Sequence, residues 1–115
     1  MSEPYDSNRY VATILRHKDG DTTYCDVDWG GDTRSRLSLR WASIDAPELP
    51  LQAGVEALAM VKHWIPVGST CLISTTQDPK EKFGRYLATF WLGDQNLNKK
   101  LVDLGHAVTY DGGKR

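Results

Sequence analysis

Two short clusters in this chain carry hard anionic oxygens: Asp19-Gly20-Asp21-Thr22 and Asp45-Ala46-Pro47-Glu48. Asp, Gly and Pro form turns in their own right, so either cluster alone is explained by a tight turn. Together they offer more. Pro47 biases Ala46 toward an extended backbone, so the Ala46 carbonyl can add a neutral oxygen to the carboxylates of Asp21 and Asp45, a donor set suited to Ca²⁺. Glu48, three residues past Asp45, is placed to hold or deprotonate a water. Arg40, and Arg85 in the run Lys82-Phe83-Gly84-Arg85, supply planar guanidinium groups that match a phosphate and stay charged at any relevant pH. Phosphodiester hydrolysis needs an activated water, neutralised phosphate oxygens and a positioned cation, and these residue types cover all three. An EF-hand does not fit, because a loop starting at Asp19 would have Tyr24 at its sixth position and Gly30 at its twelfth, where Gly and Glu are required.

The elements that must position these groups follow from periodicity. From Arg9 to Ser43 apolar and polar residues alternate, cut by turn signals at Asp19-Gly20-Asp21 and Gly30-Gly31-Asp32, which predicts a three-stranded meander. In its second strand Thr23, Cys25, Val27 and Trp29 share the face expected to be buried. Ala57, Leu58, Val61, Trp64 and Ile65 then recur at three- and four-residue intervals and predict a helix over 52–65, stopped by Pro66 and Gly68. Two strands are expected over 70–76 and 84–92. A short second helix follows, with Asn96 as N-cap, Leu97, Leu101 and Leu104 as its apolar stripe, and Gly105 as the left-handed residue after it. Five strands with a helix after the third give a mainly β fold with helices, in the connectivity of an oligonucleotide-binding-type (OB) barrel. Residues 1–8 read as a flexible arm, 9–110 as the domain and 111–115 as a polar tail.

Composition narrows the class. The chain has 115 residues, 40% hydrophobic and 25% charged, with a net charge of -1, which suits one globular domain rather than a disordered segment. Net charge is -4 over residues 1–79 and +3 over 80–115. No basic stripe is evident, so an anionic partner must be held by a local constellation rather than by bulk charge. The apolar stretch 55–65 is interrupted by Glu56, Lys62 and His63 and falls short of a membrane span. The acidic opening residues lack the pattern of a signal peptide, and the expectation is a cytoplasmic or phage-encoded protein rather than a secreted one. Cys25 and Cys71 have no metal-ligand spacing and read as buried thiols. His17, His63 and His106 form no i, i+4 or triad pattern. The four tryptophans, at strand and helix spacing, read as core.

Asp19-Gly20-Asp21-Thr22, Arg40 followed by Ile44-Asp45-Ala46-Pro47-Glu48, and Lys82-Phe83-Gly84-Arg85 occur in an order that resembles the staphylococcal (micrococcal) nuclease-like family, the thermonucleases, from about Tyr10 to Tyr110. The resemblance implies a five-stranded OB barrel with two packed helices; the expected state, a monomer, is not read from it. It also implies Ca²⁺-dependent hydrolysis of single-stranded or denatured DNA and of RNA that leaves 3′-phosphate ends. By position, Asp21, Asp45 and the Ala46 carbonyl would bind calcium, and Glu48 would be the general base. Arg40 and Arg85 would hold the phosphate and its transition state, while Lys82, Phe83 and Tyr110 would flank the terminal phosphate and base. Barrels of this family also serve as silent nucleic-acid or protein-binding modules, which lack the acidic and arginine residues that this chain retains. The chain departs from the pattern in having Phe83 where a tyrosine is usual, and a short link after Glu48 where the best-known member has a lysine-rich loop.

Overall fold

The computed structural model describes residues 9–77 and 86–110. Five long strands form the body: β1 (Arg9–Asp19), β2 (Thr22–Gly30), β3 (Thr33–Trp41), β5 (Thr70–Gln77) and β6 (Tyr86–Leu92). They hydrogen-bond in the order β3-β2-β1-β5-β6, and a parallel pairing of Leu39–Trp41 with Tyr86–Ala88 closes the sheet on itself. The barrel is the expected five-stranded OB type. Closure leaves no free edge along the paired length of these strands.

Alternation decides what lies inside. Ala12, Ile14, Cys25, Val27, Leu39, Trp41, Ile73, Ala88 and Phe90 are buried in the lumen, where the Trp41 and Phe90 rings stack with centroids 4.2 Å apart. Thr23, Cys25 and Val27 occupy the face predicted to be buried, while Trp29 is only partly covered and packs edge-on against Tyr10, 4.8 Å between centroids. Burial pushes both core thiols, Cys25 and Cys71, up to about 12.

Strand β1 carries two bulges, between Ile14 and Arg16 and between His17 and Asp19. A bulge shifts the phase of a strand by one residue. Strict alternation after Ala12 and Ile14 would turn Arg16 inward; the first bulge instead leaves Arg16 exposed and buries His17.

Helix α1 (Gln52–Trp64) lies across one end of the barrel, burying Gly54, Ala57 and Val61, and ends one residue before the predicted limit. The imidazole of buried His17 ties it to the strands. Nε2–H donates to the carbonyl of Ile65 at 2.7 Å, so in the neutral ring Nδ1 accepts from the Thr23 hydroxyl at 3.0 Å, and that hydroxyl in turn accepts from Trp41 Nε1–H at 3.0 Å. Burial, aided by the charge of Lys62, lowers the His17 pKa, while the Ile65 contact raises it in part.

Helix α2 (Leu97–Asp103) starts as predicted, with the Asn96 side chain accepting from the Lys99 N–H at 3.0 Å, and Gly105 after it has a φ of 84°. Leu97 and Leu101 are buried, but Leu104 is 50% exposed and leaves the stripe. Leu104 shares the face of the other two leucines but stands at the C-cap, one residue beyond the helix, where the core no longer covers it. Three two-residue strands, each too short for periodicity to reveal, complete the structure. They are β4 (Ile44–Asp45), β7 (Gln95–Asn96) and β8 (Val108–Thr109). Among the described residues no helix is long and apolar enough to cross a membrane.

Candidate active site

The turn between β1 and β2 and the end of β3 meet at one rim of the barrel. Thr22 pairs with Arg40 in the ladder, and Trp41 N–H donates to the Asp21 carbonyl at 2.9 Å, so the register fixes Arg40 beside the turn. Inside the turn, Asp19 Oδ1 accepts the Asp21 N–H at 3.1 Å, an Asx arrangement that shapes the loop. A methyl group on Gly20 would stand 2.9 Å from Ala57 Cβ and 3.0 Å from Ala46 Cβ, so this glycine lets the turn slip beneath α1 and against the Asp45-Ala46 segment.

Asp21 and Asp45 converge on one atom. Arg40 Nη2 donates to Asp21 Oδ2 at 3.2 Å and to Asp45 Oδ1 at 3.3 Å. That uses both hydrogens of Nη2. Asp21 Oδ2 also accepts the Ala46 N–H at 3.0 Å, which joins the two acidic segments directly. The Asp21 side chain is 6% exposed and that of Asp45 40%. One carboxylate is thus anchored within the fold while the other opens to solvent. A short ribbon holds Asp45 in place: β4 pairs with β8, Ile44 opposite Thr109 and Asp45 opposite Val108, and Tyr110 N–H donates to the Ser43 carbonyl at 2.8 Å. A cleft of about 220 Å³ lies beside it, between Asp45-Ala46-Pro47 and Gly105, Ala107 and Val108.

These residues fit a hard cation. Two carboxylates from separate loops share a positive group, and the arginine that supplies it is poorly satisfied there, because its Nε is buried with no hydrogen-bond partner among the described residues. An orphaned buried donor costs about 1–3 kcal/mol. A divalent ion between the carboxylates would release the guanidinium toward an anion, where its fork is better used. Among the described residues no three His, Cys, Asp or Glu side chains gather closely enough to hold a metal on their own. Glu48 is exposed and stands outside that pair; its carbonyl accepts the Leu51 N–H at 3.1 Å. Asp19, which the sequence reading treated only as a turn residue, belongs to the site. Burial and the adjoining Asp21 carboxylate raise its pKa, opposed by the Asp21 N–H and by Arg40. Its signal was the first acid of the Asp-Gly-Asp triplet. Lys82, Phe83 and Arg85 lie outside the described residues.

Residues 38–115 match the family model of staphylococcal nuclease homologues. The chain belongs to the staphylococcal nuclease family. It is 35% identical over 99 residues to a thermonuclease of Staphylococcus intermedius, covering 82% of this chain and 56% of that protein. To a thermonuclease of Staphylococcus hyicus it is 32% identical over 107 residues, covering 88% and 60%. The chain therefore spans somewhat more than half the length of these relatives. The family match begins at Ser38, so it includes Arg40 and the Asp45-Ala46-Pro47-Glu48 segment, and both relatives are matched over most of the chain.

Proposed function

We propose that this nuclease-family chain is a Ca²⁺-dependent enzyme that hydrolyses phosphodiester bonds of single-stranded or denatured DNA and of RNA, leaving phosphate on the 3′ side. The observation that carries the reading is the convergence of Asp21 and Asp45 on Arg40 Nη2, at 3.2 and 3.3 Å. Held by the two carboxylates and the Ala46 carbonyl, calcium would supply positive charge against the phosphate and acidify a neighbouring water.

The chain's own residues account for the remaining requirements. Asp21 is the rigid anchor, being buried and fixed by two donors. Asp45, more exposed, adjusts to what binds. Arg40 turns its remaining N–H donors to the non-bridging phosphate oxygens, a charge-assisted contact that grows as negative charge develops there. Glu48 reaches from the exposed link before α1 and removes the proton from the attacking water. Attack at phosphorus with rupture of the bond to the 5′ oxygen leaves the phosphate on the 3′ end. Arg85 supports the phosphate, and Lys82, Phe83 and Tyr110 border the terminal phosphate and base.

The test is a time course on labelled single-stranded DNA, duplex DNA and RNA, with calcium or with chelator, and with the product ends identified. Calcium-dependent cleavage giving 3′-phosphates is expected. Binding of the same substrates without any cleavage would identify a silent binding barrel instead.

A further inference from the structure

The alternation that brings Arg40 to the site also lines up side chains leading away from it on the outer wall of the barrel. Leu39 and Trp41 of β3 are fully buried, so Arg40, Ser38, Arg36 and Arg34 face outward. On β2, Thr23, Cys25 and Val27 are fully buried, and Tyr24, Asp26 and Asp28 face outward beside them. The ladder sets Tyr24 opposite Ser38, Asp26 opposite Arg36 and Asp28 opposite Arg34. From β1, Arg16 is paired with Tyr24, and the bulge at Leu15 turns it outward so that its guanidinium lies 4.9 Å from the centre of the tyrosine ring.

Charge on this wall is not cancelled evenly. Asp26 stands opposite Arg36, yet its carboxylate takes Arg34 Nε at 3.4 Å, and Asp28 takes Arg34 Nη1 at 3.4 Å. A single arginine occupies both acids, and Arg36, which is exposed, makes no ion pair among the described residues. Along β3 the Cα atoms of Arg36 and Arg40 are about 13 Å apart at ordinary strand rise. The Tyr24 ring and the Arg16 plane lie beside the gap. Single strands are held by this kind of surface, with phosphates on guanidinium groups and bases on aromatic or guanidinium faces. In barrels of this type the wall formed by the second and third strands is the oligonucleotide face.

We propose that Tyr24, Arg16 and Arg36 form a track on the outer wall of β2 and β3 that binds the single-stranded nucleotides adjoining the scissile phosphate at Arg40. Its direction rests on the nuclease reading; its existence does not. Overall charge gives no hint of it: Arg34 and Arg36 are equalled in number by Asp26 and Asp28, and only strand register and the double engagement of Arg34 leave the Arg36 guanidinium without an ion pair among the described residues.

The experiment is fluorescence anisotropy in chelator with a labelled single-stranded dodecanucleotide and with a dinucleotide, on the wild type, Arg36→Ser and Tyr24→Ser. Arg36 is on the surface, so its loss tests the track even if Tyr24→Ser folds poorly. Each substitution should weaken dodecanucleotide binding about tenfold and shrink its advantage over the dinucleotide to match. Arg36→Ser should also flatten the dependence of log K on log salt by about 0.7. Wild-type affinity in both variants, or equal loss on both probes, overturns the track. Repeating the series with calcium separates the two claims. A wild type that cleaves, with variants that bind like it, refutes the track alone; a wild type that binds through these residues and never cleaves refutes the nuclease reading alone.

Discussion

Gly54 is where helix α1 touches the link that carries Glu48, and Gly54→Ala tests whether that contact positions the base. A methyl group there would meet the Glu48 carbonyl oxygen, stand 2.7 Å from the Glu48 carbonyl carbon and lie 2.9 Å from the Pro47 oxygen. Carbon atoms at ease sit about 3.5–4.0 Å apart. The obstacle is backbone rather than a flexible side-chain tip, so the link or the helix must retreat by roughly 1 Å, a displacement judged against that contact distance. Helix propensity acts in the opposite direction, favouring Ala over Gly by about 1 kcal/mol in a helix interior. An overpacked site loses about 1–3 kcal/mol, so the expected net change is a loss despite the better helix former. In a domain of this size that lowers Tm by roughly 5–10 °C. Moving a catalytic group by about 1 Å costs up to ~10²-fold in rate, so kcat should fall at least tenfold while KM stays within a small factor. Thermal melting and calcium-dependent steady-state cleavage read both effects. A variant at least as stable as the wild type with unchanged kcat would mean that propensity alone had acted and that the Gly54 contact does not position Glu48.

Three other expectations follow from contacts described above. Arg40→Gln removes the cation shared by Asp21 and Asp45 and leaves a carboxylate of 6% exposure without charge compensation, so stability without metal should fall by about 1–3 kcal/mol; thermal melts should show calcium raising Tm more in the variant than in the wild type. His17 is held neutral, with its pKa below the ordinary 6.5, so the unfolded chain binds the extra proton first. The stability it contributes is fully present above pH 6.5 and is lost as pH falls below that value toward the folded pKa, and urea titrations at pH 5 and 7 should show a pH slope that His17→Gln flattens. Asn98 accepts the Phe90 N–H and donates to the Ala42 and Ala88 carbonyls, each at 3.0 Å; Asn98→Ala should cost about 2–4 kcal/mol by stranding buried backbone groups, measured by urea unfolding.

Much of this arrangement was legible in the sequence because single-residue chemistry and local period dictate it. The first helix could be read within one residue from its apolar spacing, and Asn96 and Gly105 marked the second helix because a side-chain cap and a positive φ select those residue types. Asp21, Arg40 and Asp45 could be named from their chemistry. Their meeting point could not, since it depends on Thr22 pairing with Arg40 across the β2–β3 ladder and on Asp45 being pinned by the two-residue ribbon with β8. The placing of His17 and Arg16 depends on a bulge, which shifts every side chain after it without altering composition. Leu104 matched the apolar stripe and still faces water, because periodicity tells which residues share a face and not how far the core extends. Gly20 read as a turn residue and Gly54 carried no signal of its own; their value lies in what a side chain would strike.

The most direct test of the central claim is a calorimetric titration of calcium into the wild type and Asp45→Asn, chosen because the Asp45 side chain is 40% exposed and its replacement should leave the barrel folded. One calcium per wild-type chain is expected, with affinity at least tenfold weaker in the variant and a matching loss of cleavage. Calcium affinity unchanged by Asp45→Asn, or no binding to a wild type that still cleaves, would contradict it.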